Sequence, residues 1–245
     1  MFNQSRLQSF YRTSPVTFLI TIAVTVMFFI TLLSGGFSNQ NLYNLGALFT
    51  PAVDIDGEYY RLFTVMFLHG SVMHYIFNTM FGLFLISSAL ERLIGSVKFT
   101  LIYFLSGLGA SGFIYLIYLI TGEPSLGVGA SGAIFGVLGA FFYLTYKHPE
   151  WFSVQDISSI RGLIFINLIF TFIAPNISIP AHVGGLVMGV LLTMLLTPSR
   201  HHPNKHKGFQ NPWEDSTYQA LDDIDEVTYV EDDDDDDDDP WGRYS

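Results

Sequence analysis

Six stretches of this chain are apolar over close to the length that a bilayer demands, and no other feature restricts the fold as much. A hydrocarbon core of ~30 Å takes about 20 apolar residues of helix to cross. The stretches lie near residues 16–33, 68–90, 100–120, 126–146, 162–174 and 181–196. The fifth is the shortest and its ends are the least defined. The first is longer than the usual apolar region of a secretory signal and reads as a retained span. Half of all residues are hydrophobic, 13% are charged and mean hydropathy is +0.39, which is the composition of a membrane protein. Cysteine is absent, so disulfides and thiolate nucleophiles are excluded. The expected fold class is an all-α membrane protein.

Charge divides the chain. Before Thr197 seven basic residues balance seven acidic ones, so the net charge of −11 sits in the tail, where four bases face fifteen acids, among them the run 232–239. Such a segment buries too little apolar surface to fold alone and is expected to be disordered. The domain reading is a cytoplasmic segment over 1–15, a six-helix domain over 16–197 and an acidic tail over 198–245. With six spans, the N-terminus, the second and fourth loops and the tail share one face and collect ten of the eleven bases. That face is cytoplasmic by the positive-inside rule, and both termini lie there. Spans two, four and six then enter the membrane from the outer side.

This topology sorts the polar residues, because histidine, asparagine and serine inside a span are costly unless they face protein or water. "HGSVMHYIFN" opens the second span, Ser131 lies in the fourth, and "PAHVGG" opens the sixth. All three sets fall at the outer ends of outward-starting helices and can share one depth.

The tetrapeptide GASG occurs twice, and the two serines differ. Ser111 lies well inside a continuous apolar helix, where its hydroxyl is expected to bond back to the carbonyl one turn earlier. Ser131 follows the irregular "EPSLGVGA" and begins a helix, where the first N–H groups lack intrahelical acceptors. From Ser131 to Tyr146 the helix covers only ~24 Å at 1.5 Å per residue, which submerges its start below the outer edge of the bilayer core. His182 is the candidate general base. Gly132, Gly136 and Ala140 form one small-residue stripe, and Ala181, Gly185 and Gly189 form another; facing stripes let two helices approach closely. Ser131 and His182 each stand one position from the first residue of a stripe. His74 and Asn78, four apart, share a face and are candidate oxyanion donors. At helical spacing His69 lies about 140° away from His74 and is expected to anchor the first loop instead. A metal held by His69, His74, Asn78 and His182 is the competing reading; no acidic residue lies well inside a span, and asparagine is a weak zinc ligand. No metal, cofactor or nucleic-acid partner is expected. No carboxylate is available to orient His182, so the arrangement is a dyad rather than a triad.

These segments resemble the rhomboid family of intramembrane serine proteases, in its bacterial six-helix form. "HGSVMHYIFN", "GVGASG" and "AHVGGLVMG" are similar to the family's second-helix, nucleophile and histidine motifs, and "EYYRLFTVMFLH" and "ERLIGS" to the blocks flanking the second span. The resemblance implies a six-transmembrane-helix bundle in the cell membrane that cleaves transmembrane segments of other proteins. It makes Ser131 the nucleophile, His182 the base, and His74 with Asn78 the oxyanion donors; Gly129 keeps the approach to the serine open. Two positions depart from the pattern. Tyr60 stands before Arg61 where tryptophan is frequent, and Phe135 replaces a tyrosine that packs on the base. The implied partners are transmembrane substrates and the lipid bilayer, and the tail's partner, if it has one, is unidentified. Two other readings are a catalytically silent rhomboid-like protein that binds transmembrane helices and a six-span transporter. No internal repeat supports the latter.

Overall fold

The structure, a computed structural model, describes residues 10–175 and 177–197, all within one compact unit. The acidic tail and the first nine residues, on which part of the domain reading rests, lie outside the described residues. Five helices are long and apolar enough to cross a membrane: α1 (Pro15–Ser34), α2 (Val72–Ile94), α3 (Ser96–Thr121), α5 (Val154–Ile173) and α6 (Ile179–Leu196). Between α3 and α5 runs α4 (Ser131–Lys147), whose 17 residues make it the shortest of the six.

Three helix starts differ from the apolar runs. The second apolar run begins at Leu68, but Leu68 is extended (φ −95°, ψ 153°) and the helix begins only at Val72, after Ser71 caps it by accepting from the His74 N–H at 3.1 Å. The fourth run begins at Leu126, but Leu126–Gly127 is a short strand, β2, paired antiparallel with β1 (Leu48–Phe49). The fold is therefore not purely helical. Further bonds from Thr50 N–H to the Ser125 carbonyl and from Gly129 N–H to the Val65 carbonyl pin the approach to α4 against the first loop. The fifth run looked short because its first turns are polar. Ser153 and Asp156 form a capping box that starts α5 at Val154, giving it 20 residues.

The centre of the bundle is where α3, α4 and α6 meet through small residues. A Cβ added to Gly185 would fall on the carbonyl of Gly132, one on Gly189 on the carbonyl of Gly136, and one on Gly136 on the Ser106 side chain of α3. Apolar lipid gives helices no hydrophobic reason to associate, so close van der Waals approach of this kind holds them. α4 is the most enclosed helix: every residue from Gly132 to Phe141 is buried.

In α2 the backbone widens into a π-helix over Phe77–Ser87. Its inward residues come in pairs, Asn78–Thr79, Gly82–Leu83 and Ile86–Ser87. Their repeat of four exceeds the 3.6 of an α-helix, so the wider winding keeps them on one face. At Gly82 the backbone passes so close to Ile134 of α4 that a Cβ would overlap that side chain.

A buried polar knot lies away from the three-helix centre. Glu91, 1% exposed near the end of α2, accepts from the backbone N–H groups of Val16 and Thr17 (3.0 and 2.8 Å), the Thr17 hydroxyl (2.7 Å) and the Ser96 hydroxyl (2.7 Å). Ser14, the N-cap residue of α1, makes no side-chain capping bond, so Glu91 satisfies the free donors of that helix start from across the bundle.

Candidate active site

Three helix starts bring the candidate residues together. Ser131 is the first residue of α4, His74 the third of α2 and His182 the fourth of α6. Two of these starts are capped, α2 by Ser71 and α6 by Ser178, which accepts from the Ala181 N–H at 3.3 Å. The third is open. Ala130, which precedes α4, has no capping side chain, and the first bond into the helix is Ile134 N–H to the Ala130 carbonyl at 3.0 Å. Among the described residues the amides of Ser131, Gly132 and Ala133 have no hydrogen-bond acceptor, at the positive end of the helix.

Gly129 determines how closely these groups gather. Its φ of +133° is a conformation that residues with a Cβ rarely adopt. A Cβ there would also lie 2.8 Å from the His74 Nε2 and 3.5 Å from the Ser131 Oγ. Ser131 Oγ and His74 Nε2 therefore both border the space that Gly129 leaves empty. His74 Nδ1 accepts a long bond, 3.5 Å, from the Gly70 N–H, which leaves Nε2 to carry the proton toward that space. Asn78 is buried, and one of its two amide hydrogens goes to the His74 carbonyl at 2.9 Å. The other has no acceptor among the described residues.

His182 is buried, and Phe135 stacks on it with ring centroids 3.8 Å apart and an interplanar angle of 16°. The phenyl ring thus covers the imidazole face without supplying a hydroxyl. The two helices are also in ordinary backbone contact beside the two residues, where a Cβ on Gly132 would come within 3.7 Å of the Ala181 carbonyl. His182 makes its side-chain hydrogen bond with the Thr171 hydroxyl of α5, Nδ1 to Oγ1 at 2.8 Å. Ser131, half-buried, is not bonded to the imidazole among the described residues.

The other candidates fall elsewhere. Ser111 is buried and donates to the Gly107 carbonyl at 3.1 Å, so its hydroxyl is spent within α3. Arg61 is buried in the first loop, where it bonds the carbonyls of Tyr43 (2.7 Å) and Ala47 (2.9 Å), pairs with Glu58 at 2.5 Å and lies over the Tyr43 ring at 4.1 Å. It holds the loop and does not reach the site. Tyr60 is exposed beside it. His69 requires a correction: the chain from Leu68 to Ser71 is not helical, so helical spacing does not separate it from His74. Its ring is fully buried and packs edge-on against His74, centroids 5.0 Å apart, and against Tyr75 at 5.7 Å. Among the described residues no three histidine, aspartate or glutamate side chains gather as metal ligands would. Thr171 and Glu91 escaped sequence reasoning. A threonine within an apolar run has no distinctive signal, and Glu91 reads from sequence as an ordinary loop charge.

Comparison with known proteins adds an independent line. The Rhomboid domain family matches residues 56–199. The chain is 37% identical over 176 residues to the Rhomboid protease GluP of Bacillus subtilis, covering 71% of this chain and 33% of that protein. It is 33% identical over 195 residues to YdcA of the same organism, covering 77% and 92%, and 34% identical over 185 residues to RHOMBOID-like protein 1 of Arabidopsis thaliana, covering 72% and 46%. The chain therefore spans a third of the length of GluP and under half of the Arabidopsis protein, but most of YdcA.

Proposed function

Because the chain belongs to the rhomboid family, whose domain covers more than half of its length, and is an integral multi-pass membrane protein, we propose that it is an intramembrane serine endopeptidase. The observation that supports this most directly is the meeting of Ser131 Oγ and His74 Nε2 around the space left by Gly129, at the uncapped start of α4. In this reading α1 to α6 all span, both termini are cytoplasmic, and the site opens toward the outer face of the cell membrane. The substrate is a single-span protein whose helix unwinds locally, since a carbonyl bonded within a regular helix is hard to attack.

The chemistry follows from the atoms present. Ser131 Oγ attacks the scissile carbonyl carbon while His182 Nε2 takes its proton. The negative charge that develops on the carbonyl oxygen is received by the Ser131 amide, His74 Nε2–H and the free hydrogen of the Asn78 amide. Collapse of that adduct breaks the C–N bond, and His182 returns the proton to the leaving nitrogen. The resulting ester is hydrolysed by a water that His182 deprotonates in turn. A neutral histidine as oxyanion donor suits a low-dielectric site, because it needs no buried charge before the reaction begins.

The test is incubation of purified protein with a model single-span substrate and, separately, with a fluorophosphonate that labels activated serines. Wild type and Ser111→Ala should cleave and label alike, and Ser131→Ala and His182→Ala should do neither. Labelling of Ser131→Ala would locate the nucleophile elsewhere.

A further inference from the structure

α5 buries only two of its residues, Ile164 and Thr171, and Phe165, Ile166, Phe170, Phe172 and Ile173 are all exposed. A helix so little enclosed has few points at which it can act on the rest of the molecule, and Thr171 is one of them. Its hydroxyl lies 2.8 Å from His182 Nδ1 and 2.9 Å from the Asn167 carbonyl one turn earlier.

A hydroxyl has one hydrogen. If it goes to His182 Nδ1, the contact with the Asn167 carbonyl is left without a proton between two acceptors. If it goes to Asn167, both contacts become hydrogen bonds, provided that His182 Nδ1 carries the ring proton and donates to Thr171 Oγ1. The second arrangement satisfies the Asn167 carbonyl, the Thr171 hydroxyl and His182 Nδ1 together, in a site where an unmade bond is costly. It also leaves Nε2 unprotonated, the state a general base requires. Phe135 cannot make this choice. Stacking fixes the plane of the imidazole but is nearly indifferent to a half-turn of the ring, which would exchange each nitrogen for a carbon. With phenylalanine in place of a hydroxyl-bearing ring at 135, the in-plane orientation has to come from another polar group, and Thr171 is the one bonded there.

We infer that Thr171 is a positioning residue that fixes both the orientation and the tautomer of His182, so that the pair Ser131–His182 operates with a neutral third member supplied by α5. The inference rests on the dyad reading above. Thr171 touches no reacting atom. In the transition state it accepts from an imidazolium rather than an imidazole, and a bond to a charged group is the stronger.

The experiment compares wild type, Thr171→Val and Thr171→Ser on a model single-span substrate, with the ring nitrogens of His182 followed by 15N NMR. Valine keeps the shape and removes the hydroxyl; serine keeps the hydroxyl. Thr171→Val should lower kcat by about 10- to 100-fold with KM little changed, the range that a hydrogen bond to a charged group supplies. Thr171→Ser should restore kcat to within a few-fold of wild type. The wild-type spectrum should show the proton on Nδ1, and that measurement needs no variant to fold. A wild-type ring protonated on Nε2, a Thr171→Val enzyme as fast as wild type, or a Thr171→Ser enzyme as slow as Thr171→Val would each overturn the inference. Failure of the dyad itself would be seen separately, as activity in His182→Ala, and would leave the tautomer result standing.

Discussion

The contact between α4 and α6 makes a quantitative demand that one methyl group can test. At Gly189 an added Cβ would overlap the Gly136 carbonyl oxygen, which is backbone and cannot swing aside as a side chain would. An ordinary C···O contact is ~3.3 Å or longer. Gly189→Ala therefore forces the two axes apart by on the order of 1 Å, and overpacking of this kind costs about 1–3 kcal/mol. Gly162→Ala is the control: it too adds a methyl to a helix, but nothing lies within 4 Å of the new atom. Alanine there should be neutral or gain about 0.5–1 kcal/mol from its better helical propensity. Thermal unfolding in one detergent reads the difference. At about 2–4 °C per kcal/mol for a chain of this size, Gly189→Ala should melt roughly 2–12 °C below wild type and Gly162→Ala at or slightly above it. The same displacement reaches the site, because Ser131 and His182 are held on the two helices being separated. A shift of ~1 Å between reacting groups can cost about 10²-fold in rate, so kcat per folded molecule should fall as well. Equal melting temperatures for the two variants would mean that the stripes do not set the helix spacing.

Two further outcomes follow from the hydrogen bonds. Asn78→Ala should lower kcat by ~10 to 10³-fold with little change in KM, as expected for a donor needed only in the transition state; an unchanged kcat would leave the oxyanion to the Ser131 amide and His74. Glu91→Ala should destabilise the protein by about 3 kcal/mol or more, since it strands buried donors at the start of α1. It should leave kcat per folded molecule near wild type, and a variant with normal stability but lost activity would contradict that assignment.

What was legible in the sequence and what was not divide along a physical line. The residues proposed for catalysis could be found because each is counted from a helix start. Glycine and proline before Ser131, serine before His74 and "ISIP" before His182 mark where regular backbone begins, and a shared starting face then gives a shared depth however far apart the residues lie in the chain. The small-residue stripes were legible for the same reason, since a four-residue repeat fixes a face without reference to any partner. Ser111 could be set aside because its acceptor, the Gly107 carbonyl, is local.

The residues that were missed act sideways, across helix faces whose rotation the sequence does not fix. Glu91 bonds an amide 74 positions earlier, and Thr171 bonds a histidine on the next helix through a loop. The expectation for His69 fails for the same reason in reverse, because helical spacing does not hold before Val72, where regular backbone begins. An apolar span states its face and, roughly, its extent, but it does not state which neighbour that face will meet. The orientation of His182 is a relation of that second kind, set jointly by Phe135 of α4 and Thr171 of α5. The proposed base, legible from the helix it opens, is thus oriented by two helices it does not belong to, and substitutions on those helices should alter catalysis without touching either member of the proposed dyad.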